Sequence, residues 1–252
     1  MLFRWVAGGK PNPYIQCFTS KGPIYVVDNH GGFWAAIADL KTAGYPYKNA
    51  VGRCILSGGN WTNAEHESPL DVIMAEIGEE FNDKRVSSSL AYNTGPFGEY
   101  FKIGEQRAHG HEKMGTVRIH DTIFVSEIEM DVIFESLGIP KELQNPKGVE
   151  EYLNRISPES ARRVFSYAEL TDGKISGVPF AWGDGVEFVD ATEHVFGFRP
   201  RLETQEDGMT VIKLSTSPVT PYASRQDLLD ITAKNPLKKK LADGDALQSS
   251  TK

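Results

Sequence analysis

Cysteine is scarce in this chain: Cys17 and Cys54 are the only two in 252 residues. Two thiols cannot staple a chain of this length. With no CxxC pair and no Cys/His cluster, neither a disulfide framework nor a thiolate metal site is expected, and a reducing compartment is the simpler setting. Long apolar runs are absent too. Nothing approaches the roughly 20 residues that span a bilayer, and the opening MLFRWVAGGKPNPY lacks the apolar stretch of an export signal. The expectation is a cytoplasmic protein with no membrane partner. An excess of basic charge is the third absence. Lysine and arginine number 27 against 34 acidic residues, a formal net charge of −7, whereas a nucleic-acid binder needs a basic face. A phosphorylated small molecule is still allowed, because a metal can neutralise its charge. Internal repeats and low-complexity segments are also missing.

What is present is enough apolar material for a core, at 40% hydrophobic and 10% aromatic residues. Runs rich in β-branched and aromatic residues predict strands at Ile15 to Thr19, Pro23 to Val27, Val51 to Leu56, Ser88 to Tyr92, Glu99 to Ile103 and Asp121 to Glu129, with a further one between His30 and Leu40. From Asp131 to about Phe165 the pattern turns helical: VIFESLGIPKEL, GVEEYLNRI and SPESARRVF read as short helices broken by proline. Strand character returns at Val178 to Trp182, Val186 to Val189, Val195 to Phe198 and Val211 to Leu214, and a helix is expected from about Ser224 to Ala233. The reading is a mixed α/β fold. Residues 1–14 form an arm, 15–236 a single domain with a helical insertion at about 131–165, and 237–252 a polar tail without order.

The segment SGGNWTNAEHESPLDVIMAEIGEEFND, from Ser57 to Asp83, carries the chemistry. Ser68 is a good N-cap, Pro69 suits the first helical position, and Asp71 stands where a capping box needs its acid. Leu70, Ile73, Met74, Ile77 and Phe81 recur at helical spacing and define a buried stripe. Glu76, Glu79 and Glu80 then share a neighbouring arc at i, i+3 and i+4, where adjacent like charges cost about 0.2–0.5 kcal/mol per pair. Gly78 costs up to about 1 kcal/mol more. A solvated acidic face is one account of them, with Lys84 pairing to Glu80. A divalent-cation site is the other: Mg²⁺ takes carboxylate oxygens and commonly bridges them to phosphates.

The segment resembles the signature of the Nudix hydrolases, G-x5-E-x7-R-E-U-x-E-E-x-G-U with U aliphatic. Glu67 matches the leading glutamate, and Glu76, Ile77, Glu79 and Glu80 match E-U-x-E-E in register. Gly58 and Gly59 match the family's glycines at the end of a strand. Three departures stand out. Seven residues rather than five separate Gly59 from Glu67, Ala75 replaces the motif arginine, and Asn82-Asp83 replaces glycine and an aliphatic residue. The resemblance implies an α/β/α sandwich with a mixed sheet and a Mg²⁺- or Mn²⁺-dependent pyrophosphohydrolase acting on a nucleoside diphosphate-linked compound, ADP-ribose or a nucleotide sugar in preference. Glu76, Glu79 and Glu80 would be the metal ligands, and Glu76, Glu79 and Glu67 the catalytic set. Gly58, Gly59 and Trp61 would contact substrate. VFSYAELTDG, from Val164 to Gly173, resembles the family's downstream segment leading to a final helix.

Elsewhere, Glu105, Arg107, His109, His111, Glu112 and Lys113 crowd the loop from Gly104 to Gly115. An exposed polar hairpin explains them better than a distant base or a zinc site does. Without the motif arginine, a Nudix-like module that binds a nucleotide or partner without turnover is the alternative. The helical insertion can serve either the pocket or a homodimer contact.

Overall fold

A computed structural model describes residues 14–43, 45, 50–61, 68–81, 83–107, 114–156, 161–172, 180–202 and 209–215. The expected N-terminal arm, the helix from Ser224 and the tail lie outside these residues, as does the tip of the loop between Arg107 and Met114.

The frame is a mixed sheet of nine strands: β1 (Tyr14–Gly22), β2 (Ile24–Val27), β3 (Phe33–Leu40), β4 (Cys54–Ile55), β5 (Ser57–Asn60), β6 (Thr94–Arg107), β7 (Met114–Glu129), β8 (Arg162–Ser166) and β9 (Thr210–Ser215). β1 and β2 run parallel to β7 in one continuous register, Thr19 opposite Asp121 and Ile24 opposite Ser126, interrupted at Gly22 and Pro23. Their outer edge is shared. β5 pairs antiparallel with β1, and β3 pairs antiparallel with β2. The sheet therefore forks, with Ser57 Oγ donating to Asp39 Oδ1 across the fork at 3.1 Å. On the far edge of β7, β6 and then β9 extend the sheet.

Helices cover both faces. On one lie α1 (Pro69–Phe81), α2 (Lys84–Tyr92), α3 (Met130–Ser136) and α4 (Pro146–Ile156), whose Ile73, Ile77, Val86, Leu90, Ile133 and Leu153 pack with Ile24, Val26, Ile37 and Phe124. On the other, α5 (Tyr167–Asp172) and α6 (Asp184–Phe196) bring Leu170, Phe188 and Ala191 against Tyr25, Ala36, Ile123 and Val125. Alternation along β7 decides which side chain meets which layer: Phe124 points to α1 and Ile123 to α6.

The helix from Pro69 to Phe81 forms as its pattern predicts. Its capping box closes reciprocally, Ser68 N–H donating to Asp71 Oδ2 at 2.7 Å and Asp71 N–H to Ser68 Oγ at 3.3 Å. Three other expectations are corrected. Ser88 to Tyr92 is helical, because Asp83 caps α2 by accepting from the N–H groups of Arg85 and Val86, and Val86 and Leu90 bury one stripe. Lys84 accordingly opens this second helix instead of extending α1 toward Glu80. The end of SPESARRVF is a strand, not a helix: β8 pairs with β3, Arg162 opposite Asp39, so the helical insertion stops before Arg162. GVEFVDATEHVF is one helix, α6, rather than two strands. Its buried stripe carries Asp184, Glu187 and Thr192 among apolar residues, which masked the helical period.

Candidate functional site

Strand β5 and helix α1 bring the two halves of the motif together. Gly58 has φ +150°, and a Cβ there would collide with the Ser20 carbonyl oxygen and with Lys21. At Gly59 a Cβ would collide with the Glu76 carboxylate. The glycine pair therefore does two physical tasks: Gly58 lets β5 close on β1, and Gly59 leaves the space that the Glu76 carboxylate fills. Glu76 is half-buried by this contact, while Glu79, one turn on, is exposed. Glu80 lies in the same helix, and its side chain is outside the described set, as is all of Glu67. Trp61 follows β5, partly buried, and extends the pairing through its N–H to the Phe18 carbonyl at 2.8 Å. Of the sequence-derived residues, the structure thus brings Gly58, Gly59 and Glu76 into one place, with Glu79 on the adjoining solvent side. These carboxylates suit a hard divalent cation by donor chemistry.

A second charged group lies on the α6 side of the sheet, and nothing in the sequence pointed to it. Asp121, Asp184 and Glu187 bring carboxylate oxygens within 4.8 Å of one another, all buried, in a group that can hold a metal ion. Two ammonium groups already sit among them. Lys102 Nζ lies 2.8 Å from Asp121, 2.7 Å from Asp184 and 2.9 Å from Glu187. Lys21 Nζ lies 3.1 Å from Asp121 and 2.6 Å from Asp184. Asp184 Oδ2 also accepts the Leu56 N–H at 2.9 Å, and Thr19 Oγ1 donates to Asp121.

The electrostatics of this group follow from burial and mutual attraction. Burial works against the Lys102 ammonium, but the three carboxylates outweigh it and hold its pKa well above the ordinary lysine value. Burial likewise opposes the Asp121 carboxylate, and the two lysines still hold it below the usual range. Glu187 goes the other way: burial, with Asp121 and Asp184 adding to it, raises its pKa well above that of an ordinary glutamate. Three carboxylates face two ammonium groups, an excess of one carboxylate, and Glu187 is the one whose acidity burial and its neighbours suppress. This ion network pins α6 to β1, β6 and β7 through Lys21 and Lys102.

These five residues are separated by up to 166 positions in the chain, so no local spacing could have revealed them. A scan against protein-family models gives no match, and no match comes from a search of the curated proteins. Among the described residues, no helix is long and apolar enough to cross a membrane.

Proposed function

We propose that this protein is a metal-dependent hydrolase of a nucleoside diphosphate-linked compound, built on a Nudix-like α/β/α sandwich, with its site where α1 faces β5. The single observation that carries the reading is the seating of the Glu76 carboxylate in the space left by Gly59. This contact, between the strand that carries the glycine pair and the helix that carries the glutamates, supports the reading. Glu76, Glu79 and Glu80 are the residues that would hold Mg²⁺ or Mn²⁺, and Glu67 would support them. When bound, the ion would neutralise the diphosphate and acidify a water. The chain's own part is to hold Glu76 rigidly on a helix anchored by Ile73 and Ile77, and to present Glu79 to solvent for exchange with substrate. Ala75 in place of arginine removes one orienting partner of the glutamates. Gly59 leaves room for the Glu76 carboxylate beside β5.

The test is product release from a panel of nucleoside diphosphate-linked compounds, with Mg²⁺ and with chelator. Metal-dependent turnover is expected, falling by roughly 10²-fold or more in Glu79→Gln, the scale of losing a catalytic proton-transfer group, with the melting temperature unchanged. Turnover in Glu76→Gln and Glu79→Gln that is unchanged from the wild type would remove the site assignment. Nucleotide binding without turnover would instead favour the non-catalytic module.

A further inference from the structure

Strand β6 carries a one-residue bulge that changes which side of the sheet Glu99 faces. Pro96 stands opposite Phe124 and Gly98 opposite Ile123, so Phe97 is an extra residue. Under strict alternation from Pro96, Glu99 would point to the α6 layer. The bulge turns it to the α1 layer instead, opposite Thr122. A second irregularity adjoins it on the other edge, where β9 passes from Ser215 opposite Glu99 to Lys213 opposite Tyr100. Bulges recur next to functional sites because they re-aim a side chain.

The re-aimed residue joins a row that starts at the proposed catalytic site. Gly59 on β5 pairs with Ser20 on β1, Ser20 with Thr122 on β7, and Thr122 with Glu99 on β6. Directly paired residues share a face, so this row lies on the side where Glu76 sits over Gly59. Its members are buried: Ser20 is 0%, Thr122 2% and Glu99 3% exposed. Among the described residues, Ser20 Oγ and Glu99 Oε1 are buried polar atoms without a hydrogen-bond partner. Such atoms are costly, about 1–3 kcal/mol each, and call for a ligand or a bound water. Burial also raises the pKa of Glu99, so partners that can donate hydrogen bonds are what this carboxyl lacks.

We propose that Glu99, Ser20 and Thr122 form a subsite for the hydroxyl groups of a sugar attached to the diphosphate, an inference that rests on the diphosphate-hydrolase reading above. The chemistry selects this ligand class. The row from Gly59 to Glu99 contains no cation, so it does not suit a phosphate. One carboxyl and two hydroxyls fall short of the oxygen shell a Ca²⁺ ion takes. Neutral sugar hydroxyls can donate to Glu99 Oε1 and exchange a hydrogen bond with Ser20 Oγ, filling the two missing valences without adding charge. Gly59 and Glu99 are three strand spacings apart, about 14 Å at the backbone. A diphosphate and its first sugar ring would bridge that span.

The experiment compares a nucleoside diphosphate sugar with the same nucleoside diphosphate esterified to a simple alkyl alcohol, using the full chain with Mg²⁺. Glu99→Gln is expected to lower kcat/KM for the sugar compound by about 10–100-fold, chiefly through KM, the scale of a hydrogen bond to a charged group. The preference for sugar over alkyl compound should collapse, and Ser20→Ala should give a smaller change in the same direction. Equal losses on both compounds, or no loss on either, would overturn the subsite. Binding of the nucleotide sugar measured by calorimetry in chelator separates this inference from the reading beneath it. Weaker binding by both variants with no turnover in the wild type keeps the subsite and removes the hydrolase, and identical binding by all three proteins removes the subsite.

Discussion

The carboxylate of Glu76 rests on the α-carbon of Gly59, joining helix α1 to strand β5 where a side chain of any size would separate them. Gly59→Ala should therefore push the Glu76 carboxylate aside while leaving the fold in place, since the colliding group is the end of a flexible side chain. Turnover should fall at least tenfold with stability changed by about 1 kcal/mol or less. Gly58→Ala should behave oppositely. Its collisions are with the backbone of Ser20 and Lys21, at a φ that other residues rarely adopt, so a loss of about 2–4 kcal/mol is expected in chemical denaturation. Comparable effects of the two substitutions on stability would contradict this division of labour.

Removing one member of the buried ion network should be costly. Asp184→Ala leaves Lys21 and Lys102 facing each other with less counter-charge and strands the Leu56 N–H. A loss of about 3–5 kcal/mol is expected, read from urea unfolding. A loss under about 1 kcal/mol would show that water reaches the network.

Glu187 should make stability depend on pH in a particular direction. Its pKa in the folded protein is raised above the ordinary 4.5, so above that pH the folded state holds a proton that the unfolded chain has released. Its contribution is complete below about pH 4.5 and is lost as the pH rises toward the folded value. Lys21 and Lys102 have raised values and stay charged throughout this range, while the lowered value of Asp121 matters only in acid. Glu187→Gln should flatten the stability profile between pH 5 and 8 and match or exceed the wild type at pH 8. A steeper slope in the variant would reverse the assignment of the proton.

The capping box makes a smaller prediction. Ser68→Ala removes the acceptor for the Asp71 N–H and should cost about 1 kcal/mol. Because α1 carries Glu76 and Glu79, metal affinity measured by titration should weaken alongside the melting temperature.

Local signals served where a residue's conformation depends on near neighbours. The helix from Pro69 to Phe81 was legible because its cap, its proline and its apolar stripe all lie within one segment. So were the cores of β6, β7 and β9, where β-branched and aromatic residues dominate. The glutamate cluster and the glycine pair were visible for the same reason, as a spacing. The errors fell where distant partners outweighed local preference. Arg162 to Phe165 became a strand because β3 offered it an open edge, and Arg163 found Glu150 and Glu169 at 2.5 Å each. Asp184 and Glu187 disguised α6, since their burial makes sense only with Lys21 and Lys102 beside them.

By itself, then, the sequence determined the α/β character, the helix that carries Glu76 and Glu79, and the glycines that precede it, because each follows from interactions within a few residues. Tertiary structure alone decided that Gly59 makes room for Glu76, that five charged residues from four elements close into one network, and that Glu99 faces the α1 layer. The docking of α1 and α6 on the paired strands and the one-residue bulge at Phe97 set those outcomes. Both depend on pairing register, a property of two chain segments together that neither segment carries alone.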